Sequence, residues 1–375
     1  MNKIFSVIII LFLANFVLAQ EIPQAKPLTQ PEYVKMLYAL EQNPSQKEDV
    51  IEAIRTRGLG FKLTDGIRSL TRSKSRNDSE LQRTLEESER RRANPTTAKL
   101  PSEKEAAEVL AKTRENTLAA VEDMPDFVVK QKIARSYAYA GTGNFRNLDR
   151  LVVAVSYRAS GFEEYRTLSI NGVLQDDPKA KQNYGEVGGT SSTGEFVTVL
   201  AKIFKPESDT KFKLIDTDLI RNHKALVFEY SLTKEKAQQL ITSYQYIADS
   251  TITGMSGKVW IDRKDNRVLR VESAATEIPY NFPIRTANRT IDYDWVKISD
   301  QDYLLPSVSD VRLTFRQSDK VFETRNLIRF NDYQKFGTEV ILLDDDDVED
   351  STPANKEDKP AEVDENAPPP LKIKP

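Results

Sequence analysis

Cysteine is absent from this 375-residue chain. Disulfide staples, thiol nucleophiles and thiolate metal sites are therefore excluded, and stability has to come from burial. Histidine occurs once, at His223, so a multi-histidine metal cluster within one chain is excluded as well. Charge of one sign does not dominate. The formal net charge is −3, and the segment from Asp344 onward holds eleven acidic and four basic residues, a net of −7 that leaves the body at +4. A nearly balanced body gives no general attraction to nucleic acid.

Long apolar runs are scarce too. Residues 4–18, interrupted by Ser6 and Asn15, form the one marked run, and at about 15 residues it falls short of the ~20 that span hydrocarbon. With Lys3 before it and Val17-Leu18-Ala19 closing it, the run reads as a cleavable export signal over residues 1–19. The mature chain is then expected to be exported, periplasmic or extracellular, soluble and not membrane-spanning. Gln20 rather than cysteine follows the cleavage site, so no lipid modification is expected at that terminus.

What is present falls into segments. Residues 20–95 read as a small helical module. Thr29 with Glu32, and Ser45 with Glu48, fit the pattern in which a hydroxyl and a carboxylate reciprocally cap a helix start. Val34, Leu37, Tyr38 and Leu40 form one apolar stripe, and Val50, Ile51 and Ile54 another. Gly58 and Gly60 stop the second helix, Phe61 and Leu63 form a buried connector, and Thr64 opens a third helix with Ile67 and Leu70. From Arg72 to Arg92 only Leu81 and Leu85 are apolar, and Glu86, Glu87 and Glu89 precede Arg90, Arg91 and Arg92. That pattern predicts a solvated helix face with opposite charges three to four apart.

A polar linker at 96–100 leads to residues 101–343. There a helix over 102–122, opened by Ser102 and Glu105, precedes a change of period from near 3.6 to 2. Phe127, Val129, Ile133, Tyr137 and Tyr139 share one strand face, and Leu151, Val153, Val155 and Tyr157 alternate along the next. Ser192 with Glu195 predicts a second helix over 193–204, whose Phe196, Val199, Leu200, Ile203 and Phe204 demand burial. Strands resume at Leu226, Phe228 and Tyr230, at Val259 and Ile261, and at intervals to Phe330, with a tight turn at Arg263–Asn266. The fold class expected is α+β: a helical module, then a curved antiparallel sheet or half-barrel of about eight to ten strands packed on helices. Residues 344–375, with an Asp run and Pro368-Pro369-Pro370, read as a disordered acidic tail.

No motif carries catalysis. Gly189 to Gly194 has the glycine spacing of a phosphate loop, but Glu195 and Phe196 stand where lysine and a hydroxyl are needed. His223 lies among basic neighbours without a nucleophile-elbow sequence. The acid pairs Glu163-Glu164 and Asp292/Asp294 suit solvated strand faces, and Asp344–Asp347 lacks calcium-loop spacing. No catalytic residue, metal ligand or cofactor is assigned.

The Asp126-Phe127, Gly188-Gly189, Gly194-Glu195-Phe196, Gly257-Lys258-Val259-Trp260-Ile261-Asp262, Ile278-Pro279, Phe282-Pro283-Ile284 and Tyr303-Leu304-Leu305-Pro306 segments resemble a family of exported bacterial proteins of acidobacterial type. The domain of that family is similar to the lipoprotein-carrier (LolA-like) half-barrel, and the likeness spans roughly 101–340. It implies an apolar concavity that takes a lipid or lipoprotein acyl chain. Phe127, Val129, Val153, Val155, Phe228, Tyr230, Trp260 and Trp295 are the candidate ligand or core face. The leading reading is a non-enzymatic envelope protein that binds a hydrophobic ligand in the half-barrel; the alternative is a filled scaffold that binds envelope proteins, and a carboxylate-based hydrolase comes third. An open apolar cleft separates the first from the second.

Overall fold

The computed structural model describes residues 26–95, 100–175, 187, 189–243 and 249–336. The expected export signal and acidic tail lie outside the described residues, as does most of the linker at 96–100. Four helices come first: α1 (Gln30–Gln42), α2 (Lys47–Arg57), α3 (Asp65–Lys74) and α4 (Ser79–Ala93). Local chemistry sets several of their ends. Thr29 and Glu32 form the reciprocal cap of α1, the Thr64 hydroxyl accepts from Ile67 N, and Asp78 accepts from Leu81 N. Gly58 ends α2 at a φ of 68°, a left-handed conformation that favours glycine. The four helices share one core built from Leu37, Ile51, Ile54, Ile67 and Leu81.

Two expectations here are corrected. Ser45 and Glu48 do not cap α2, because the Asn43 side chain takes the Ser45 N–H and hydroxyl and starts a separate 3₁₀ turn at Pro44. In α1 the buried aromatic is Tyr33, whose hydroxyl shares a 2.9 Å hydrogen bond with Thr71, while Tyr38 is exposed beneath the Lys74 ammonium.

Helix α5 (Glu103–Glu122) is capped by Ser102 and stops before Pro125. It leads into β1 (Phe127–Tyr139), β2 (Arg146–Tyr157), β3 (Glu163–Ile170) and the two-residue β4 (Val173–Leu174). Then come α6 (Thr198–Phe204), β5 (Lys211–Ile220), β6 (His223–Leu232), the single turn α7 (Lys234–Ala237) and β7 (Gln239–Ser243). The chain continues through β8 (Asp249–Asp262), β9 (Val268–Thr276), β10 (Ile284–Ile298), β11 (Gln301–Gln317) and β12 (Lys320–Lys335).

The strands form one open, curved antiparallel sheet of order β4-β3-β2-β1-β12-β11-β10-β9-β8-β6-β5, with β7 paired to β8 off that path. Two meanders leave the centre in opposite directions, and the first and last strands lie side by side, with Gln131 opposite Phe330 and Ile133 opposite Ile328. Twelve strands are described rather than eight to ten. The ones unforeseen are β4, β5 and β7, short or interrupted by polar residues such as Asp216-Thr217-Asp218.

Helices α5 and α6 cover the inner face of the sheet. Val109 of α5 and Ile203 and Phe204 of α6 pack with Phe228, Val259, Val271 and Ile291. Phe196 and Val197, just ahead of α6, pack with Phe127, Val129, Val155 and Phe330. The second helix starts at Thr198, not 193, and Ser192 does not cap it. Gly194 adopts a φ of 78°, and Glu195 turns into the core, where it accepts the Ser192 hydroxyl.

Candidate functional site

Strand parity decides which candidate residues meet. Phe127, Val129, Val153 and Val155 gather around Phe196, with the Phe127 ring 4.8 Å from Tyr157 in a stack and 5.2 Å from Phe196 edge-on. Phe228 and Tyr230 lie in the adjoining cluster with α5 and α6. The two tryptophans do not join them. Val259 pairs with Phe228 facing inward, so its neighbour Trp260, paired with Val227, points to the outer face and packs with Ile220 and Leu269. Trp295 is 49% exposed.

A polar seam crosses the inner face. Thr167, Val153, Gln131 and Phe330 stand in one line across four strands. Both amide atoms of Gln131 and the hydroxyls of Thr167, Ser169 and Ser309 are buried without a hydrogen-bond partner among the described residues. Over this seam runs the loop at 189–197. Asn326 donates to Thr190 O at 2.6 Å, and the Thr190 and Thr324 hydroxyls lie 2.7 Å apart. Gly189 is required here: its φ is 78°, and a Cβ would stand 2.7 Å from an Arg135 guanidinium nitrogen.

The same loop brings two acids together. Glu163 accepts from Gly194 N at 3.0 Å and from the Tyr165 hydroxyl, and fully buried Glu195 lies 3.7 Å from Arg289. Burial, aided by the nearby Glu195 charge, pushes the Glu163 carboxyl above the usual range despite its hydrogen bonds. Sequence spacing pairs Glu163 with its neighbour Glu164 and Glu195 with a helix cap; the fold of the loop brings Glu163 and Glu195 together instead. Backbone carbonyls tie the loop to β10, Thr193 O accepting from Arg289 at 3.0 Å and Glu195 O from the Tyr293 hydroxyl at 3.4 Å, while Glu163 Oε1 and Glu195 Oε2 are buried without a hydrogen-bond partner among the described residues.

The outer face carries the other constellation, at the junction with the helical module. Arg55 bridges Asp216 and Glu80, each at 3.2 Å, and Lys258 reaches Glu80 from the sheet. Arg90 joins Glu87 at 2.6 Å to Asp218 at 2.8 Å, Arg91 pairs with Asp216, and Glu87 accepts the Thr217 hydroxyl. Asp218 also accepts from the Trp260 indole at 2.9 Å. Burial alone would raise the Glu80 carboxyl, but the Lys258, Lys47 and Arg55 charges outweigh it and hold the group at about 2. The charged stretch of α4 is therefore an interface. It is not the solvated face that its composition predicts, because its partners come from strands more than a hundred residues away.

Beside this network a cleft of about 410 Å³ opens between α3–α4 and the β5–β6 turn, lined by Arg68, Arg72, Arg83, Arg90, Arg221 and Arg270 among others. Of the remaining candidates, His223 Nδ1 lies 2.6 Å from Asp262, a pairing at a strand start, and Asp292 holds Arg270 in a two-point hydrogen bond. The residues described include no group of three or more His, Asp or Glu side chains arranged for a metal ion. Among them, too, no helix is long and apolar enough to cross a membrane.

No protein-family model and no curated protein matches the chain. Among solved structures, a putative outer membrane lipoprotein-sorting protein domain from Vibrio parahaemolyticus is similar at 13% identity and a TM-score of 0.30, over 63% of this chain and 94% of that one. A DUF1329 family protein from Desulfovibrio piger is similar at 9% identity and a TM-score of 0.25, over 64% of this chain and 98% of its own. A chain of the Pseudomonas aeruginosa MucA/MucB complex is similar at 11% identity and a TM-score of 0.18, over 60% and 94% of the two chains.

Proposed function

We propose that the chain is a non-enzymatic binding scaffold of the cell envelope, whose sheet is filled by its own helices. The observation that supports this is the occupation of the inner face by α5, α6 and Phe196, with Ile203 and Phe204 fully buried there. The acyl-chain reading requires those groups to withdraw. Re-exposing Phe196, Ile203 and Phe204 costs roughly 5–9 kcal/mol at about 1.5–3 kcal/mol for each large apolar side chain, comparable with the whole stability of many domains. An acyl chain would have to return that energy, and the polar seam of Gln131, Thr167, Ser169 and Ser309 offers it poor company. The surfaces left for partners are the outer face, the module and the cleft between them.

Native mass spectrometry of protein purified without detergent from its own envelope tests the reading, together with titration by a fluorescent fatty acid. The expected results are an apo mass and no uptake. Stoichiometric lipid, or saturable uptake weakened by Phe196→Trp, would establish the carrier instead.

A further inference from the structure

We propose that the cleft between the helical module and the outer face of the sheet binds a multiply charged phosphate or phosphate-ester anion. This goes beyond the scaffold reading and stands or falls independently of it. The cavity, about 410 Å³, lies within the range of small-molecule sites, roughly 300–1,000 Å³. All its lining cations are arginines, six in number, and the acids that line it with them are Glu86 and Asp218. Arginine forks match tetrahedral oxyanions at two points, which lysine does not.

Arg68 is fully engaged by Glu86, Asp65 and the Leu63 carbonyl, and Arg221 by the Tyr293 carbonyl, Asp292 and Asp294, whereas carboxylates hold three other forks in place while using only part of each. Arg270 gives Nε and Nη2 to Asp292 at 2.7 and 2.8 Å. Arg90 gives Nε to Glu87 and Nη2 to Asp218. Arg83 gives Nη2 to Glu272. In all three the Nη1 group has no protein hydrogen-bond partner among the described residues, and Arg83 and Arg270 both lie over the Trp260 ring, 5.2 and 5.8 Å from its centre. Arg72 is exposed on α3 and lines the cleft, and its side chain has neither hydrogen-bond nor ion-pair partner among the described residues. Glu272 and Asp292 compensate the charges of Arg83 and Arg270, so what the interface leaves over is the set of unused Nη1 donors and the exposed side chain of Arg72. An anion in the cleft satisfies those donors.

The test is isothermal titration of the full-length mature protein with inorganic pyrophosphate, at low and at physiological salt. Saturable one-to-one binding that weakens with salt is expected. Arg72→Glu should weaken it about tenfold or more, the loss of one charge-assisted contact, with an unchanged thermal melt because the residue is exposed and without protein partners. Arg72→Lys should fall between the two. Co-sedimentation with phosphatidylcholine vesicles, with and without phosphatidic acid, separates the sources. Retention on the anionic vesicles that Arg72→Glu abolishes assigns a lipid headgroup, and pyrophosphate binding without retention assigns a soluble compound. Absence of pyrophosphate binding at millimolar concentration, or binding indifferent to Arg72→Glu, overturns the proposal. Either negative result leaves the filled inner face untouched.

Discussion

Replacing Glu80 by Gln removes one negative charge from among three cations: Lys258, Arg55 at 3.2 Å and Lys47 at 3.7 Å. The carboxyl is held at about 2 against an ordinary 4.5, so its charged form contributes about 3 kcal/mol to folding at neutral pH. Its side chain is only 15% exposed, so solvent screening removes little of this. The folded-state value is depressed, which means the stabilisation is complete above the unfolded value and is lost as pH falls through the folded one. Glu80→Gln should therefore cost about 3 kcal/mol at pH 7 and about 1 kcal/mol at pH 3. Urea unfolding of both proteins at several pH values between 7 and 3 measures the difference. Adding Lys258→Met to Glu80→Gln should return part of the loss, because the stranded ammonium goes with it. A cost below about 0.5 kcal/mol at pH 7, or one that stays constant down to pH 3, would refute the reasoning and return α4 to the status of a solvated helix.

Phe196→Ala should destabilise by about 3–5 kcal/mol, seen as a fall in the urea midpoint, because the ring is buried between β1, β2 and β12. Gly257→Ala should cost more than ~2 kcal/mol or prevent folding, since its Cβ would stand 1.9 Å from the Glu272 carbonyl oxygen. Gly66→Ala, with its nearest neighbour 3.8 Å away in the first turn of α3, should raise the thermal midpoint, worth up to about 1 kcal/mol. Glu163→Gln should stabilise at pH 7. Burial raises its folded-state value, so the native state is penalised from the unfolded value upward and in full above the folded one, and the gain should vanish in acid where both states are protonated.

Residues close in sequence were enough to determine several helix ends and the strand periods. Thr29 with Glu32, Thr64 and Ser102 cap helices because a hydroxyl meets a backbone N–H three residues on, wherever the helix later packs. Alternation likewise placed Phe127, Val129, Val153 and Val155 on one face. It also contained the position of Trp260, since Val259 and Ile261 could not face inward unless the residue between them faced out.

Only the tertiary structure decided the fate of the charges. Glu80, Glu87, Arg90 and Arg91 look like any solvated helix until Asp216, Asp218 and Lys258 arrive from β5 and β8. Whether a charge is solvated or buried depends on partners that the chain brings near only after the sheet has formed, and no local pattern encodes them. The same holds for the inner face. The apolar strands and the apolar helix stripes were each legible, but their mutual covering, which fills the half-barrel with α5 and α6, is a matter of three-dimensional fit.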